Sequence, residues 1–443
     1  MNIVFLSGGS GKRLWPLSND VRSKQFIKIL KAPDGSYESM LQRMYREVME
    51  VAPDADVTIT TSANQVSPIR NQIGVKAGIS VEPCRRDTFP AIALACMFLK
   101  DVRNLAESEP VVVCPVDPFV EKEYFEGLKH LSEIQGNPKE KANITLMGIE
   151  PTYPSEKYGY IIPKDKEALS EVTEFKEKPD EETAKKYIEQ GALWNAGVFA
   201  FKLGYLVNKA HELIDFKDYY DLLEKYESVE KISFDYAVLE KEKNINVTRF
   251  NGEWRDLGTW NTLVSAMEEN SIGKAIMADT CENVHILNEL DVPVLALGLK
   301  DVVISASPEG ILVTDKHQSS YMKPYVDKIH QEIMFAEKSW GEYKVLDVED
   351  NSLTIRVTLH AGHKMNYHSH ELRDEVWTVV EGEGIAVIDG RKREVGPGDV
   401  IHLPRGCKHT IKANTELKLI EVQMGDNIKA EDKIKYEYKW DIL

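Results

Sequence analysis

The stretch Asn2-Ile-Val-Phe-Leu-Ser-Gly-Gly-Ser-Gly-Lys-Arg-Leu-Trp-Pro-Leu-Ser18, followed by Lys24-Gln25-Phe26, decides the fold. An apolar run opens the chain and feeds into a loop holding Gly8, Gly9, Ser10 and Gly11, with Lys12 and Arg13 directly behind. Glycines without Cβ let backbone N–H groups approach an anion, and a strand end sets such a loop at the rim of a parallel sheet. A phosphate chain suits this pattern. Two commoner phosphate loops are excluded. A Walker loop needs glycine at position 6, which is Leu6, and a hydroxyl after Lys12, which is Arg13. A dinucleotide fingerprint starting at Gly9 needs glycine at position 14, which is Leu14. For a bare glycine turn the plain alternative is that it binds nothing; here the adjoining cations and the strand before it favour phosphate.

Ser7 to Ser18, with its Leu14-Trp15-Pro16, together with Lys24-Gln25-Phe26, resembles the signature of the mannose-1-phosphate guanylyltransferases, a family of sugar nucleotidyltransferases. The bifunctional type II phosphomannose isomerase/guanylyltransferases are the kind it looks most like. The resemblance implies an α/β fold in three parts: a Rossmann-like domain with a mixed sheet between helices (1–265), a small β-rich connecting domain (266–330) and a C-terminal cupin β-barrel (331–443).

Length agrees, since 443 residues exceed one ordinary domain. The longest apolar run, Ala91 to Leu99, is too short to span a bilayer, and Met1-Asn2 does not open a signal peptide, so a cytoplasmic protein is expected. Five widely spaced cysteines, at 84, 96, 114, 281 and 407, read as reduced thiols. A net charge of −17 argues against a nucleic-acid binder, whose affinity comes from phosphate contacts, but leaves room for a small anion in a locally cationic cleft. A homodimer is the expected assembly.

Along the first part, Val57–Thr60, Val111–Cys114, Ile144–Met147 and Val247–Phe250 read as short strands. Between them Met40, Leu41, Met44 and Val48 share one helical face, with Ser39 and Gln42 as a capping box. Asp87-Thr88 begins another helix. Strand-like pieces at Val292–Leu297 and Val302–Ser305 mark the connecting region. From about residue 335, strict alternation takes over: Leu353, Ile355, Val357 and Leu359 face one way and Thr354, Arg356, Thr358 and His360 the other. Turn signals at Asp389-Gly390, Pro397-Gly398 and Pro404-Arg405-Gly406 complete a closed or sandwiched β pattern.

Asp117 follows one strand and Asp256 lies just beyond another, where a carboxylate reaches past the sheet edge. Singly, each would be a turn residue. Both match the family's two metal aspartates, which implies Mg2+ on Asp117 and Asp256; the histidine expected after the first is Pro118 here. Glu82 to Thr88, with Glu82 and Arg86, resembles the segment holding base and ribose, and Lys12 and Lys24 join Gly8, Gly9, Ser10 and Gly11 on the nucleotide. Glu177-Lys178-Pro179 resembles the motif whose lysine anchors the sugar phosphate, and Gly159, Asn195 and Gly197 resemble the sugar pocket. The implied reaction is in-line attack of mannose 1-phosphate on the α-phosphorus of GTP, giving GDP-mannose and pyrophosphate. Arg13, Lys178, Asp117 and Asp256 carry it by positioning and charge stabilisation.

Six of the eleven histidines fall after residue 359. Gly362, His368-Ser369-His370, Glu375 and Gly382 keep the first cupin spacing; Gly398, Pro404, Gly406 and His409 keep the second, with Asn414 one place late. His368, His370, Glu375 and His409 suit a divalent transition metal (Zn, Mn, Co, Fe or Ni). Against the isomerase run Gln-x-His-x-His-Arg-x-Glu-His-Trp, the chain keeps His370, Arg373, Glu375 and Trp377, and has His368, Leu372 and Val376 at the other three places. Mannose-6-phosphate isomerase activity, with Arg373, is therefore a second expectation. The alternatives left open are a nucleotidyltransferase for another sugar 1-phosphate and NTP with a non-catalytic sugar-binding cupin, and a degenerate, non-catalytic binder.

Overall fold

Successive residues of the opening strand, Asn2–Leu6, face opposite ways: Ile3 and Phe5 enter one apolar core and Val4 another. Val111 and Val113 against Val112 and Cys114 repeat the pattern on Pro110–Pro115. Strands buried on both faces in this way need helices above and below them. The computed structural model, which describes residues 1–9, 12–19, 21–329, 333–429 and 431–440, has that arrangement. A nine-stranded mixed sheet runs Gly78–Glu82, Asp56–Ser62, Asn2–Leu6, Pro110–Pro115, Leu193–Lys202, Ile144–Ile149, Ile245–Phe250, Leu169–Lys176, Tyr160–Pro163. Its first four strands are parallel, so their C-terminal ends share one edge.

Helix Met40–Val51 begins at Ser39, whose hydroxyl accepts from the Gln42 N–H while the Gln42 side chain answers back, the capping box read from the sequence. Asp87 caps helix Thr88–Met97, whose buried residues run from Phe89 to Met97. Asp256 lies beyond strand Ile245–Phe250, as expected, and is also the last residue of a short strand, Trp254–Asp256, which pairs antiparallel with Pro118–Val120. The run Val292–Leu297 contributes only Val294–Ala296, because Pro293 has no N–H for a ladder.

Two compact units result: Met1–Gly11 with Ser23–Glu269, and Lys12–Arg22 with Asn270–Leu443. In the second, strands Ser271–Ile272, His285–Asn288 and Val302–Ser307 pair parallel, as do Ala275–Met277 and Val294–Ala296, around Val284, Ile286, Ala296 and Ile304. The arm 12–22 belongs to this unit. Ser307 donates to the Pro16 carbonyl at 2.9 Å, Asn19 donates to Glu309 at 3.0 Å, and Arg22 makes two bonds to Glu289 at 2.7 and 2.8 Å. Beyond Phe335, a six-stranded and a five-stranded antiparallel sheet enclose Val357, Leu359, Trp377, Val379, Ile411 and Leu419, the barrel that the cupin spacing implies. Among the described residues no helix is long and apolar enough to cross a membrane.

A buried pair, His285 and Lys316, makes the second unit sensitive to acid. Burial, with the Lys316 ammonium 2.9 Å away, holds His285 down at about 4. An unfolded histidine takes up its proton near pH ~6.5. The unfolded state therefore binds more protons between these values, and the stability His285 contributes is complete above about pH 6.5 and lost as pH falls towards 4. Urea midpoints of a His285→Gln variant are expected to fall less steeply than wild type between about pH 7 and about pH 5.

Candidate functional sites

Gly8 and Gly9 leave the first strand exposed, and Gly9, at φ +108°, takes a backbone turn that side-chain-bearing residues rarely adopt. They line a cavity of about 370 Å³ together with Glu82, Arg85, Arg86, Asp87, Thr88, Asp117 and Lys231. The Gly9 carbonyl is tied by Ser23 Oγ at 3.1 Å and Arg85 Nη2 at 3.3 Å, which fixes the turn. Ser10 and Gly11 lie outside the described residues, as does the side chain of Lys12. Arg13 is exposed and begins the arm that groups with the second unit. Glu82, Arg86, Gly8 and Gly9 are thus brought together around one hollow of a size that suits a small ligand.

Asp117 ends the segment after Pro110–Pro115, and the strand pairing sets Asp256 opposite Pro118. Proline stands at the first residue of its strand, a position where a missing donor is tolerated. Between the carboxylates lies Lys24, 2.7 Å from Asp117 Oδ2 and 3.5 Å from Asp256 Oδ1. Burial works against the ammonium, but the two carboxylates outweigh it and raise Lys24 above an ordinary lysine. Two hard oxygen donors converging on a cation are a set that fits a divalent ion bridging phosphates. Lys24 stands here, not among the residues lining the cavity.

The sugar-side residues form a separate cluster. Lys178 adopts φ +45°, a left-handed backbone that residues bearing a long side chain seldom take, and its ammonium lies 2.5 Å from Glu177. Asn195 donates its amide to Asp235 at 2.7 Å, accepts from the Gly197 N–H at 3.0 Å, and its backbone N–H bonds the Gly159 carbonyl at 2.8 Å. Gly159 sits close to this cluster: a Cβ there would meet the Glu177 carboxylate, Phe175 and Asn195, so a larger residue would push the Glu177 carboxylate aside. Burial, with Glu177 nearby, pushes Asp235 up to about 6. Sequence reading missed Asp235; its signal was a lone acid among Phe234, Ala237, Val238 and Leu239.

In the barrel, His368, His370 and His409 are buried with ring nitrogens within 4.8 Å of one another. Each faces a carbonyl with Nδ1: His368 that of Asn366 at 2.6 Å, His409 that of Cys407 at 3.0 Å, and His370 that of Asp432. Nδ1–H donation fixes the tautomer that leaves Nε2 as a lone pair. Burial holds His368 down at about 2, so its ring is neutral. Glu375 Oε2 and His409 Nε2 lie 3.3 Å apart, and neither has a hydrogen-bond partner. Two buried polar atoms left without a hydrogen bond, beside three imidazoles whose nitrogens converge within 4.8 Å, make a donor set that fits a divalent metal. Arg373 supplies part of that charge, with Nε 3.0 Å from Glu375 Oε1 and Nη2 3.1 Å from His370 Nε2. Glu421, a second buried acid, escaped the sequence reading because it occupies an ordinary inward position on strand Leu417–Met424. It accepts from Gln423 at 2.6 Å, and burial, with Glu375 adding, pushes it up to about 8.

Residues 2–271 match the nucleotidyl transferase family and residues 355–423 the cupin domain family. The chain is 29% identical over 475 residues to a putative mannose-1-phosphate guanylyltransferase of Vibrio cholerae, covering 98% of this chain and 99% of that protein. The mannose-1-phosphate guanylyltransferase of Escherichia coli K12 is 29% identical over 476 residues, covering 98% and 97%. A solved structure described as mannose-1-phosphate geranyltransferase from Thermus thermophilus superposes with a TM-score of 0.61 at 26% identity, over 74% of this chain and 98% of that one.

Titration with Co2+ is expected to show one bound equivalent with visible absorption from imidazole ligation. His368→Ala and His409→Ala should each weaken binding by at least about tenfold. Identical titrations for wild type and both variants would remove the three-histidine centre.

Proposed function

Because the chain belongs to the nucleotidyl transferase family, we propose that it transfers GMP from GTP to α-D-mannose 1-phosphate, releasing GDP-mannose and pyrophosphate. Relatives carrying that activity in their names match it over nearly its whole length. The observation that carries the reading is the pair Asp117 and Asp256 facing Lys24 beside the strand end that bears Gly8 and Gly9.

Asp117 and Asp256 would hold Mg2+, which when bound neutralises phosphate charge. Lys24 pairs with both carboxylates and supplies positive charge beside them. The amides of the glycine turn receive phosphate oxygens, and Arg13 with Lys12 adds positive charge where pyrophosphate departs. Lys178 anchors the phosphate of the sugar, and Asn195, Gly159 and Gly197 line its hydroxyls. The attacking oxygen belongs to a phosphate dianion, already a nucleophile, so no residue is needed to remove a proton. One P–O bond forms at the α-phosphorus while the bond to the β-phosphate breaks. The reading takes the chain in three domains (1–265, 266–330, 331–443), as a cytoplasmic homodimer without nucleic-acid or membrane partners.

Pyrophosphate release across a panel of nucleotides and sugar 1-phosphates tests it. GTP with mannose 1-phosphate should be the preferred pair, and Asp117→Asn or Asp256→Asn should lower kcat by about 10²-fold or more. Equal turnover of another pair would redirect the assignment, and near-wild-type variants would end it.

A second reading is favoured by the orphaned polar atoms of the barrel: interconversion of mannose 6-phosphate and fructose 6-phosphate. A divalent transition metal (Zn, Mn, Co, Fe or Ni) on His368, His370, Glu375 and His409 would polarise the sugar's carbonyl. Burial pushes Glu421 up to about 8, so its carboxylate form is a base strong enough to take the proton from one carbon and return the same proton to the adjacent one, while Arg373 keeps Glu375 in place. In a coupled assay with mannose 6-phosphate and added Zn2+, Mn2+ or Co2+, turnover is expected, reduced by about 10²-fold or more in Glu421→Gln. Background rates with all three metals would sink the isomerase.

A further inference from the structure

Glu82 ends strand Gly78–Glu82 and lines the cavity of about 370 Å³. Its carboxylate does not stand alone. The hydroxyl of Tyr226, a fully buried residue, donates to Glu82 Oε1 at 2.6 Å. The carbonyl of the next residue, Glu227, accepts from Arg86. Further on, the Phe89 N–H bonds the Ile232 carbonyl at 3.2 Å and the Phe234 N–H bonds Thr88 Oγ1 at 2.8 Å. Residues 226–234 therefore run beside 82–89 as a brace, and they also bring Lys231 to the cavity wall.

We propose that Tyr226 is a positioning residue that fixes Glu82 for recognition of the guanine base, an inference that rests on the GTP reading above. Guanine presents N1–H and the N2 amino group side by side, two donors that a carboxylate accepts together. Adenine presents an acceptor at N1, which a carboxylate repels, and hypoxanthine keeps N1–H but lacks the amino group. With Oε1 held by Tyr226 the carboxylate is restrained from turning, and each oxygen keeps a lone pair for the two donors of guanine. Discrimination by hydrogen bonding grows when the protein group is held in advance and is left unpaired by the wrong ligand. Burial pushes the Glu82 carboxyl up and the Tyr226 hydroxyl opposes it, so the same bond helps keep the acceptor ionised.

Kinetics of Tyr226→Phe, which keeps the buried ring, test the inference with GTP, ITP and ATP against mannose 1-phosphate. KM for GTP should rise about tenfold while kcat stays within about twofold, and the preference for GTP over ITP should shrink. In a Glu82→Ala background, which removes the acceptor, the second substitution should cost nothing more. A variant with wild-type KM and selectivity, or an equal loss in the Glu82→Ala background, overturns the role of Tyr226 while the GTP reading stands. A wild-type enzyme that uses ATP as readily as GTP overturns both.

Discussion

The chemistry of the first unit hangs on one short ladder, Pro118–Val120 against Trp254–Asp256. A long succession of helices and strands separates Asp117 from Asp256 along the chain, and this pairing sets Asp256 opposite Pro118, the residue next to Asp117. Lys24 lies between the two carboxylates, 2.7 Å from Asp117 Oδ2 and 3.5 Å from Asp256 Oδ1, and because it is largely buried its charge is hardly screened. The parallel strands Gly78–Glu82, Asp56–Ser62, Asn2–Leu6 and Pro110–Pro115 share one C-terminal edge, and Glu82, Gly8, Gly9 and Asp117 line a cavity there.

Much of this was legible in the chain. Apolar runs fixed the central strands, and the Ser39–Gln42 cap appeared with its partners as written. The glycine turn stood out through its backbone freedom and adjoining cations and the His368–His370 pair through the cupin spacing, whereas Asp117 and Asp256 stood out only through their match to the family that the chain resembles. What escaped were groups whose role depends on packing between distant segments. Asp235 reaches Asn195 across forty residues, and Tyr226 reaches Glu82 across 144. Neither lies in a motif of its own, and a tyrosine within a helical turn reads as core. The strand read at Val292–Leu297 shortened for a local reason, Pro293, that was visible and outweighed by the run of apolar residues around it.

The barrel applies a different logic. Three imidazoles are oriented by backbone carbonyls, so the nitrogen that points inward is chosen by the fold and not by the ligand. Glu375 is shared among His370, His409 and Arg373. A guanidinium is fixed in charge, whereas a metal can be exchanged, so the arginine lowers the cost of burying this acid whether or not a metal is bound. The replacements at Leu372 and Val376 remove two imidazoles from the familiar isomerase run, and His368 contributes one from another position.

The arm 12–22 carries a consequence for how the molecule can be divided. It leaves the first unit after the glycine turn and rejoins it at Ser23, yet its Leu14, Trp15 and Leu17 are buried with the second unit, Trp15 lying against Gly310. A chain cut after Glu269 would keep every strand of the nine-stranded sheet. It would also strand those three apolar side chains in water, at the root of the segment that bears Arg13. The two halves are separable on a map of sheets, yet the segment that carries Arg13 is grouped with the second unit and not with the strand it follows.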